Sequence, residues 1–301
     1  MYSSRCAPLA RFPSICIVLA AVSLTGWAPA ALAQAVPDSA LLPPGDTSLV
    51  QEVELEGGSK LIGRIIAVSD GVVTFRTLEG LEVRFLISQV HGIRKPNGVR
   101  HGRDFWPRDH SDSRLFIGPT ARMSGNGRGY VGLYELFFPS AVIGFGDIAM
   151  VSGGMSIFPG LGLDEQIYYF APKVRLLGLE MVSAAAGLLY VGVGSEDEYG
   201  GLAYGVVTMG DDQAAVTAGP GFPFYSEGGF ADEMLAMVGG EVRVSRGLKL
   251  ISENWFVPGS EGAFFTLGLR GLTGANSIEF AALIPTTGDV VIPVASFSTG
   301  W

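Results

Sequence analysis

The chain has 301 residues, a formal net charge of −9 and a hydrophobic fraction of 48%. An acidic chain repels phosphate backbones, which argues against nucleic acid as a partner. Both cysteines lie within the first 33 residues, so the remainder can form neither a disulfide nor a thiolate metal site.

The N-terminus has the pattern of an export signal. Two arginines precede an apolar run that is too short to span a membrane. Ala31-Leu32-Ala33 then fits the small-x-small rule for signal cleavage, with Ala33-Gln34-Ala35 as a second option. We therefore predict a cleaved signal peptide over residues 1–33 and a Pro-rich, flexible lead-in over residues 34–48.

Residues 49–95 contain short alternating runs separated by glycine-containing turns. They predict strands over 50–55, 60–68, 72–77, 81–86 and 89–94. Gly57-Gly58 precedes the second run and Gly63 lies midway along it, while Ile87 and Val90 lie near the end. In these features the segment resembles Sm-like and SH3-like small barrels, which implies a five-stranded fold rather than a function. Many Sm-like proteins bind RNA, but the export signal and the acidic charge argue against that here.

Residues 96–113 are rich in charged and turn-forming residues and predict a linker. Some of them have the side chains of metal ligands: His101, Asp104, Asp109, His110 and Asp112. Their spacing matches no known metal-site pattern, so neither a metal nor another cofactor is predicted.

From residue 114 to residue 301 the chain repeats a strand, a short turn, a strand and a longer loop. The short turns lie 28 to 35 residues apart, near Asp147, Leu179, Asp211, Arg246 and Gly274. The pattern predicts twelve strands: 114–123, 129–145, 148–158, 167–177, 181–193, 199–208, 213–225, 233–245, 248–257, 263–271, 277–284 and 290–300. The predicted longer loops lie near Asn126, Asp164, Glu196, Glu227, Ser260 and Gly288.

Short turns on one rim, longer loops on the other and a terminal aromatic residue, Trp301, resemble bacterial outer-membrane β-barrels. The predicted fold is thus all-β: an antiparallel up-and-down barrel of about twelve strands after a small five-strand barrel. The resemblance implies outer-membrane lipid and the barrel-assembly machinery as partners. It also implies that residues 49–95 lie in the periplasm, where they can contact a further partner.

Alternation places nine charged residues opposite the apolar face of the predicted strands. They are Glu135, Lys173, Arg175, Glu241, Arg243, Lys249, Glu253, Arg270 and Glu279. Facing lipid, a Lys or Arg near the midplane would cost about 2–4 kcal/mol, so we predict that these residues line the lumen. Their mixed signs allow two interpretations, a salt-bridged interior that fills a narrow lumen or a polar path for a small solute.

The sequence lacks the motifs G-x-S-x-G and H-E-x-x-H and the P-loop, and all three histidines precede the predicted barrel. We therefore predict a non-enzymatic outer-membrane barrel, structural or narrow-pore, with a periplasmic interaction module. The alternative is a soluble secreted or periplasmic β-rich binding protein, in which the apolar face would turn inward.

Overall fold

The computed structural model of the chain describes residues 50–94, 96, 98–101, 104–194, 198–257, 262–287 and 290–301. The predicted signal peptide and lead-in lie outside the described residues, as do Glu196, Ser260 and Gly288. Within the described ranges, no helix is long and apolar enough to cross a membrane.

The first part of the described chain forms an antiparallel five-stranded sheet. Its strands are β1 (Gln51–Leu55), β2 (Lys60–Ser69), β3 (Val72–Thr77), β4 (Glu82–Leu86) and β5 (Val90–Arg94), in the order β4-β3-β2-β1-β5. A 3-10 turn at Ile87–Gln89 precedes β5. Val53, Val73 and Phe75 are fully buried, because alternate residues of a strand face the same side. All five predicted strands are confirmed, with ends shifted by at most one residue.

The described residues of the predicted linker are structured. β6 (Gly98–His101) and β7 (Asp104–Pro107) pair as an antiparallel hairpin. The rings of His101 and Trp106 lie 4.4 Å apart. Asp109, Ser111 and Ser113 follow and are buried. The sequence did not indicate this burial, because polar residues between predicted domains ordinarily face water.

Twelve strands close into an antiparallel barrel, which confirms the predicted fold class. They are β8 (Gly129–Tyr134), β9 (Phe138–Phe145), β10 (Ala149–Met155), β11 (Ile167–Gly178), β12 (Val182–Val193), β13 (Tyr199–Gly210), β14 (Ala214–Tyr225), β16 (Leu235–Ser245), β17 (Leu248–Val257), β18 (Gly262–Thr273), β19 (Asn276–Pro285) and β20 (Ile292–Gly300). A two-residue strand, β15 (Gly229–Phe230), pairs with the end of β14. The ring closes where β20 pairs with β8.

Two of the predicted strands are wrong, although the total is right. Residues 114–123 contribute no strand to the barrel, and residues 129–145 form two strands rather than one. The chain reverses at Glu135 and Leu136, whose φ angles are 49° and 62°. This left-handed conformation suits a tight hairpin but is usually taken by glycine or asparagine, so the two residues gave no turn signal.

The short turns lie on one rim of the barrel, and both ends of the barrel sequence lie on that same rim. The Asn126 side chain accepts a hydrogen bond of 3.0 Å from the Gly146 amide. Asn126 therefore lies on the short-turn rim, which corrects its predicted place among the longer loops. The opposite rim, here called the loop rim, carries the β8–β9 turn and the connections that follow β10, β12, β14, β17 and β19.

The outward face of the barrel is apolar. Phe170, Val174 and Leu176 on β11 are exposed outward, while Lys173 between them is buried inward. Near the loop rim, outward tyrosines form a row in which Tyr190 lies 6.1 Å from Tyr168 and 5.2 Å from Tyr199, between ring centroids. The alternation that predicted these strands is thus realised with charges inside and hydrocarbon outside.

Candidate functional site: the barrel lumen

A segment that precedes the first barrel strand lies inside the barrel. We call residues 109–124 the lumen plug. Its buried residues are Asp109, Ser111, Ser113, Arg114, Leu115, Phe116, Thr120, Ala121 and Met123. The amide of Leu115 donates to the Gly118 carbonyl at 2.8 Å, and the amide of Thr120 donates to the Ser113 carbonyl at 3.0 Å. The plug is therefore a hairpin of two legs joined by a turn at residues 115–118.

Glycines allow the plug and the wall to approach closely. A Cβ added at Gly239 of the wall would lie 2.3 Å from the Leu115 side chain. A Cβ added at Gly118 of the plug would lie 2.3 Å from the Met237 sulfur. Side-chain atoms do not pack at such distances, so a larger residue at either position would force its neighbour to move. At Gly239 the added Cβ would also lie 2.6 Å from the Ser252 backbone oxygen, which makes glycine important there.

Charged groups of alternating sign link the plug to the wall. In order, they are Arg122, Glu241, Lys249, Asp109, Arg270, Glu279 and Arg114, and we call them the ion chain. Lys249 Nζ lies 3.1 Å from Glu241 Oε2 and 2.9 Å from Asp109 Oδ2. Arg270 lies 2.8 Å from Asp109 through Nη1 and 2.5 Å from Glu279 through Nε. Each of the three acidic residues in the ion chain thus contacts two cationic side chains.

The ends of the ion chain belong to the plug. Arg114 Nη1 lies 2.9 Å from Glu279 Oε2, and Arg122 pairs with Glu241. The side chains of the ion chain are at most 15% exposed. Because a buried charge without a partner is strongly destabilising, the plug and the wall each supply the counter-charges that the other requires.

Glu253 holds the turn of the plug. Its Oε2 accepts hydrogen bonds from the amides of Phe116 at 2.8 Å and Ile117 at 3.0 Å. Its Oε1 accepts one from the Gly118 amide at 3.0 Å and one from the Trp255 indole at 2.7 Å. A carboxylate that accepts several N–H groups is well stabilised even though it is 1% exposed.

Lys173 joins the two legs of the plug. Its Nζ donates to the carbonyls of Ser113 and Thr120, both at 2.9 Å, and of Arg122 at 2.8 Å. An ammonium group has three N–H donors, so all of them are used. The wall therefore fixes the spacing between the ascending and descending legs.

The other predicted lumen residues lie apart from the plug contacts. Arg243 donates to the carbonyls of Pro107 at 2.7 Å and Arg246 at 2.6 Å, and its guanidinium lies 5.1 Å from the Trp106 ring centroid. Arg175 is half-buried near the short-turn rim. Glu135 is exposed in the β8–β9 turn, where it accepts a hydrogen bond of 2.9 Å from the Ala295 amide. The prediction that Glu135 faces the lumen is wrong because the strand ends before it.

The sequence interpretation missed three charged members of the site. The sequence pattern assigns Asp109 to the linker and Arg114 and Arg122 to a first strand. One signal was available, since Gly118-Pro119 interrupts that run and proline removes a ladder donor from a strand.

A cluster of hydroxyls and one imidazole lies beside the ion chain. Ser298 Oγ lies 2.9 Å from His110 Nε2, 3.0 Å from Ser111 Oγ and 2.8 Å from Ser277 Oγ. The three serines are at most 1% exposed, so a substrate has no access to them. Across the described part of the chain, no group of three or more His, Cys, Asp or Glu residues has the arrangement of a metal site.

No protein-family model and no curated protein matches this chain. Among solved structures, the chain is similar to a KdgM porin in complex with disordered oligogalacturonate, with 8% identity and a TM-score of 0.41. It is also similar to a second structure of KdgM porin, with 7% identity and a TM-score of 0.41. Both comparisons cover 57% of this chain and 95% of the porin chain. Values this low carry no information about what this chain binds.

Proposed function

We propose that the chain is a non-enzymatic outer-membrane β-barrel whose lumen is closed by its own plug, and which displays the five-stranded sheet as an interaction module in the periplasm. The observation that carries this proposal is the distribution of side chains in the barrel, which has hydrocarbon on its outer face and a buried ion chain inside. In water this arrangement would expose a continuous apolar wall. In a bilayer the wall faces lipid, and each backbone group is paired within the closed ring.

The strand lengths support the membrane assignment. Nine of the twelve long strands have 9 to 12 residues. A tilted strand crosses the hydrocarbon layer with about 9–11 residues. Outer-membrane lipid is therefore the solvent of the outer wall, and the barrel-assembly machinery is the partner we propose for insertion.

The plug favours a structural role over conduction. It occupies the half of the lumen near the short-turn rim, and its removal would separate Asp109, Arg114 and Arg122 from their partners on the wall. The resting protein is then non-conducting. A narrow pore is the second candidate, because the same wall charges would line a polar path if the plug moved aside.

The periplasmic module is proposed from connectivity and strand order. Both ends of the barrel sequence lie on the short-turn rim, which in bacterial barrels faces the periplasm. The order β4-β3-β2-β1-β5 and the 3-10 turn before β5 agree with an Sm-like or SH3-like small barrel. We propose that this sheet contacts a periplasmic partner.

Cell fractionation with a heat-modifiability gel tests the membrane assignment. We expect the protein in the outer-membrane fraction, extractable only with detergent and migrating faster before boiling than after. Recovery of most of the protein in a detergent-free periplasmic extract would instead establish the soluble alternative.

Cysteine labelling of intact cells tests the orientation. Beyond residue 33 the chain has no cysteine, so a single introduced thiol reports its own position. An impermeant maleimide should label Glu227→Cys, exposed at the loop rim, and spare Ser69→Cys, exposed at the end of β2. The reverse labelling pattern would show that the barrel is inverted.

Planar-bilayer recording tests the closed lumen. We expect no steady current from the wild-type protein and a current after residues 109–124 are replaced by a Gly-Ser segment of equal length. Steady conductance in the wild type would contradict the structural role and favour the narrow pore.

A further inference from the structure

The inward charges that the structure describes lie in the half of the barrel that holds the plug. Among the described residues, the inward positions closer to the loop rim than Glu253 carry no Asp, Glu, Lys or Arg. We assign these inward positions from the alternation along each strand and from the pairings β12–β13, β17–β18 and β19–β20, whose registers contain no shift. The large apolar ones include Ile167, Leu189, Val191, Leu202, Leu235, Trp255, Phe264, Leu283, Ile292 and Val294.

The plug turn forms a floor below these apolar side chains. The amide of Ile117 is bonded to Glu253 within the lumen, yet the Ile117 side chain is 67% exposed. Phe264 on the wall above it is 39% exposed although it faces inward. Exposed apolar side chains on both the floor and the wall show an open space, which we call the apolar cup.

Within the described part of the chain, the plug turn closes the cup at its floor, and the cup faces the loop rim. Glu253 lies at the level of the floor, and β17 continues for four more residues to Val257. With about 3.3 Å per residue and a strand tilt near 40°, the wall rises about 10 Å above the floor. Polar solutes need a lumen lined by hydrogen-bonding groups, as in water-filled barrels. An apolar cup with a closed floor offers no such path.

We propose that the apolar cup binds the hydrocarbon chain of a free single-chain amphiphile, such as a fatty alcohol or fatty acid, that enters from the loop rim. The uncharged wall matches an uncharged chain, and the end of that chain would rest on Ile117. The polar head would remain at the rim, where water is available. A lipid tail from the bilayer is a poorer match, since the lipid would have to leave the outer wall and bend over the rim.

Thiol labelling at the floor tests this proposal. The variant Ile117→Cys, reconstituted in phosphatidylcholine vesicles, is treated with a small charged methanethiosulfonate in the presence and absence of 1-dodecanol. At ten times the half-saturating dodecanol level, mass action leaves about one-tenth of the cups free, so labelling should slow about tenfold. The exposed control Glu227→Cys should react at the same rate in both conditions.

A charged wall provides the matched control. Leu202→Glu in the Ile117→Cys background places a carboxylate in the cup and should abolish protection by dodecanol, with folding verified by heat modifiability. Equal labelling rates with and without dodecanol would overturn the proposal. So would slow labelling before dodecanol is added, which would mean that a lipid tail or the loops already fill the cup. The inference rests on the barrel and its plug, so failure to insert into vesicles would count against the membrane role alone, and the same labelling would then be done in solution.

Discussion

Two ion pairs of nearly equal length lie in opposite surroundings. In the five-stranded sheet, Arg76 Nη2 lies 2.6 Å from Glu82 Oε1, and the side chains are 51% and 49% exposed. In the lumen, Arg270 Nε lies 2.5 Å from Glu279 Oε1, and the side chains are 0% and 2% exposed. The exposed partners regain water when they separate, whereas the buried partners do not. The solvent exposure of an ion pair, rather than its distance, therefore decides how strongly each region depends on it for stability.

The two regions also place their apolar residues differently. The sheet buries Val53, Val73 and Phe75 and leaves the charges of its Arg76–Glu82 pair exposed. The barrel exposes large apolar side chains on its outer face and buries charges in its lumen. Only the second arrangement makes the fold depend on pairing of charges, because the interior contains few alternative partners for them.

The largest effect is expected for Arg270→Met. It would leave Asp109 and Glu279 each with one fewer cation in a buried site and should cost about 3–5 kcal/mol in the free energy of unfolding. Urea unfolding in lipid vesicles, followed by gel mobility, measures this change. The matched variant Arg76→Met should be indistinguishable from wild type. Equal effects of the two substitutions would mean that the lumen is as well hydrated as the surface.

A smaller effect is expected for Glu253→Gln. The glutamine oxygen would still accept hydrogen bonds, but the amide N–H donors would face backbone donors, and we expect a net cost of about 1.5–3 kcal/mol, the value of one hydrogen bond to a charged group. Hydrogen exchange at the amides of Phe116, Ile117 and Gly118 should accelerate, because these amides lose their acceptor. Glu54→Gln in the five-stranded sheet is the control, since Glu54 contacts exposed Arg94 at 3.4 Å. Unchanged exchange at the plug turn would show that Glu253 does not hold it.

The smallest effect is a pH dependence in the sheet. A hydrogen bond from the Arg76 side chain, followed by the Arg76 charge, lowers the pKa of Glu82 from its ordinary value. Because the folded pKa lies below the unfolded one, the contribution of this pair is present above the unfolded pKa and is lost as pH falls through the folded pKa. An NMR titration of the full chain should show the lowered pKa, and Arg76→Gln or high salt should raise it. If neither Arg76→Gln nor high salt changed the pKa of Glu82, the Arg76–Glu82 pair would be excluded as the cause of its lowered value.

Strand number and the small sheet could be predicted from the sequence because both depend on local alternation and turn residues. In the predicted number of barrel strands, two opposite errors cancel. The pattern of the plug predicts a strand, because an extended chain packed in a lumen alternates like a strand. The turn at Glu135 and Leu136 was missed, since neither residue favours a positive φ.

The inward charges on long strands were predictable by the same alternation, but their partners were not. Lys249 and Glu241 could be matched across one hairpin. Pairing of either wall residue with Asp109 or Arg122 depends on where the chain before the barrel goes. That path is a tertiary property. Gly118-Pro119 argues against a strand but does not show that the segment enters the lumen.

The seam between β20 and β8 sets the order in which the molecule can form. Residues 130–134 pair with residues 296–300, so the ring closes between segments that are far apart in the sequence. Pairings of such long range form slowly because the intervening chain must be ordered first. The plug precedes β8, so it must be inside the curved sheet when the last strand arrives. We expect a disulfide between Val131→Cys and Thr299→Cys, partners across the seam, to form later during refolding than the far-UV signal of the strands. Simultaneous appearance of both signals would show that closure is not the last step.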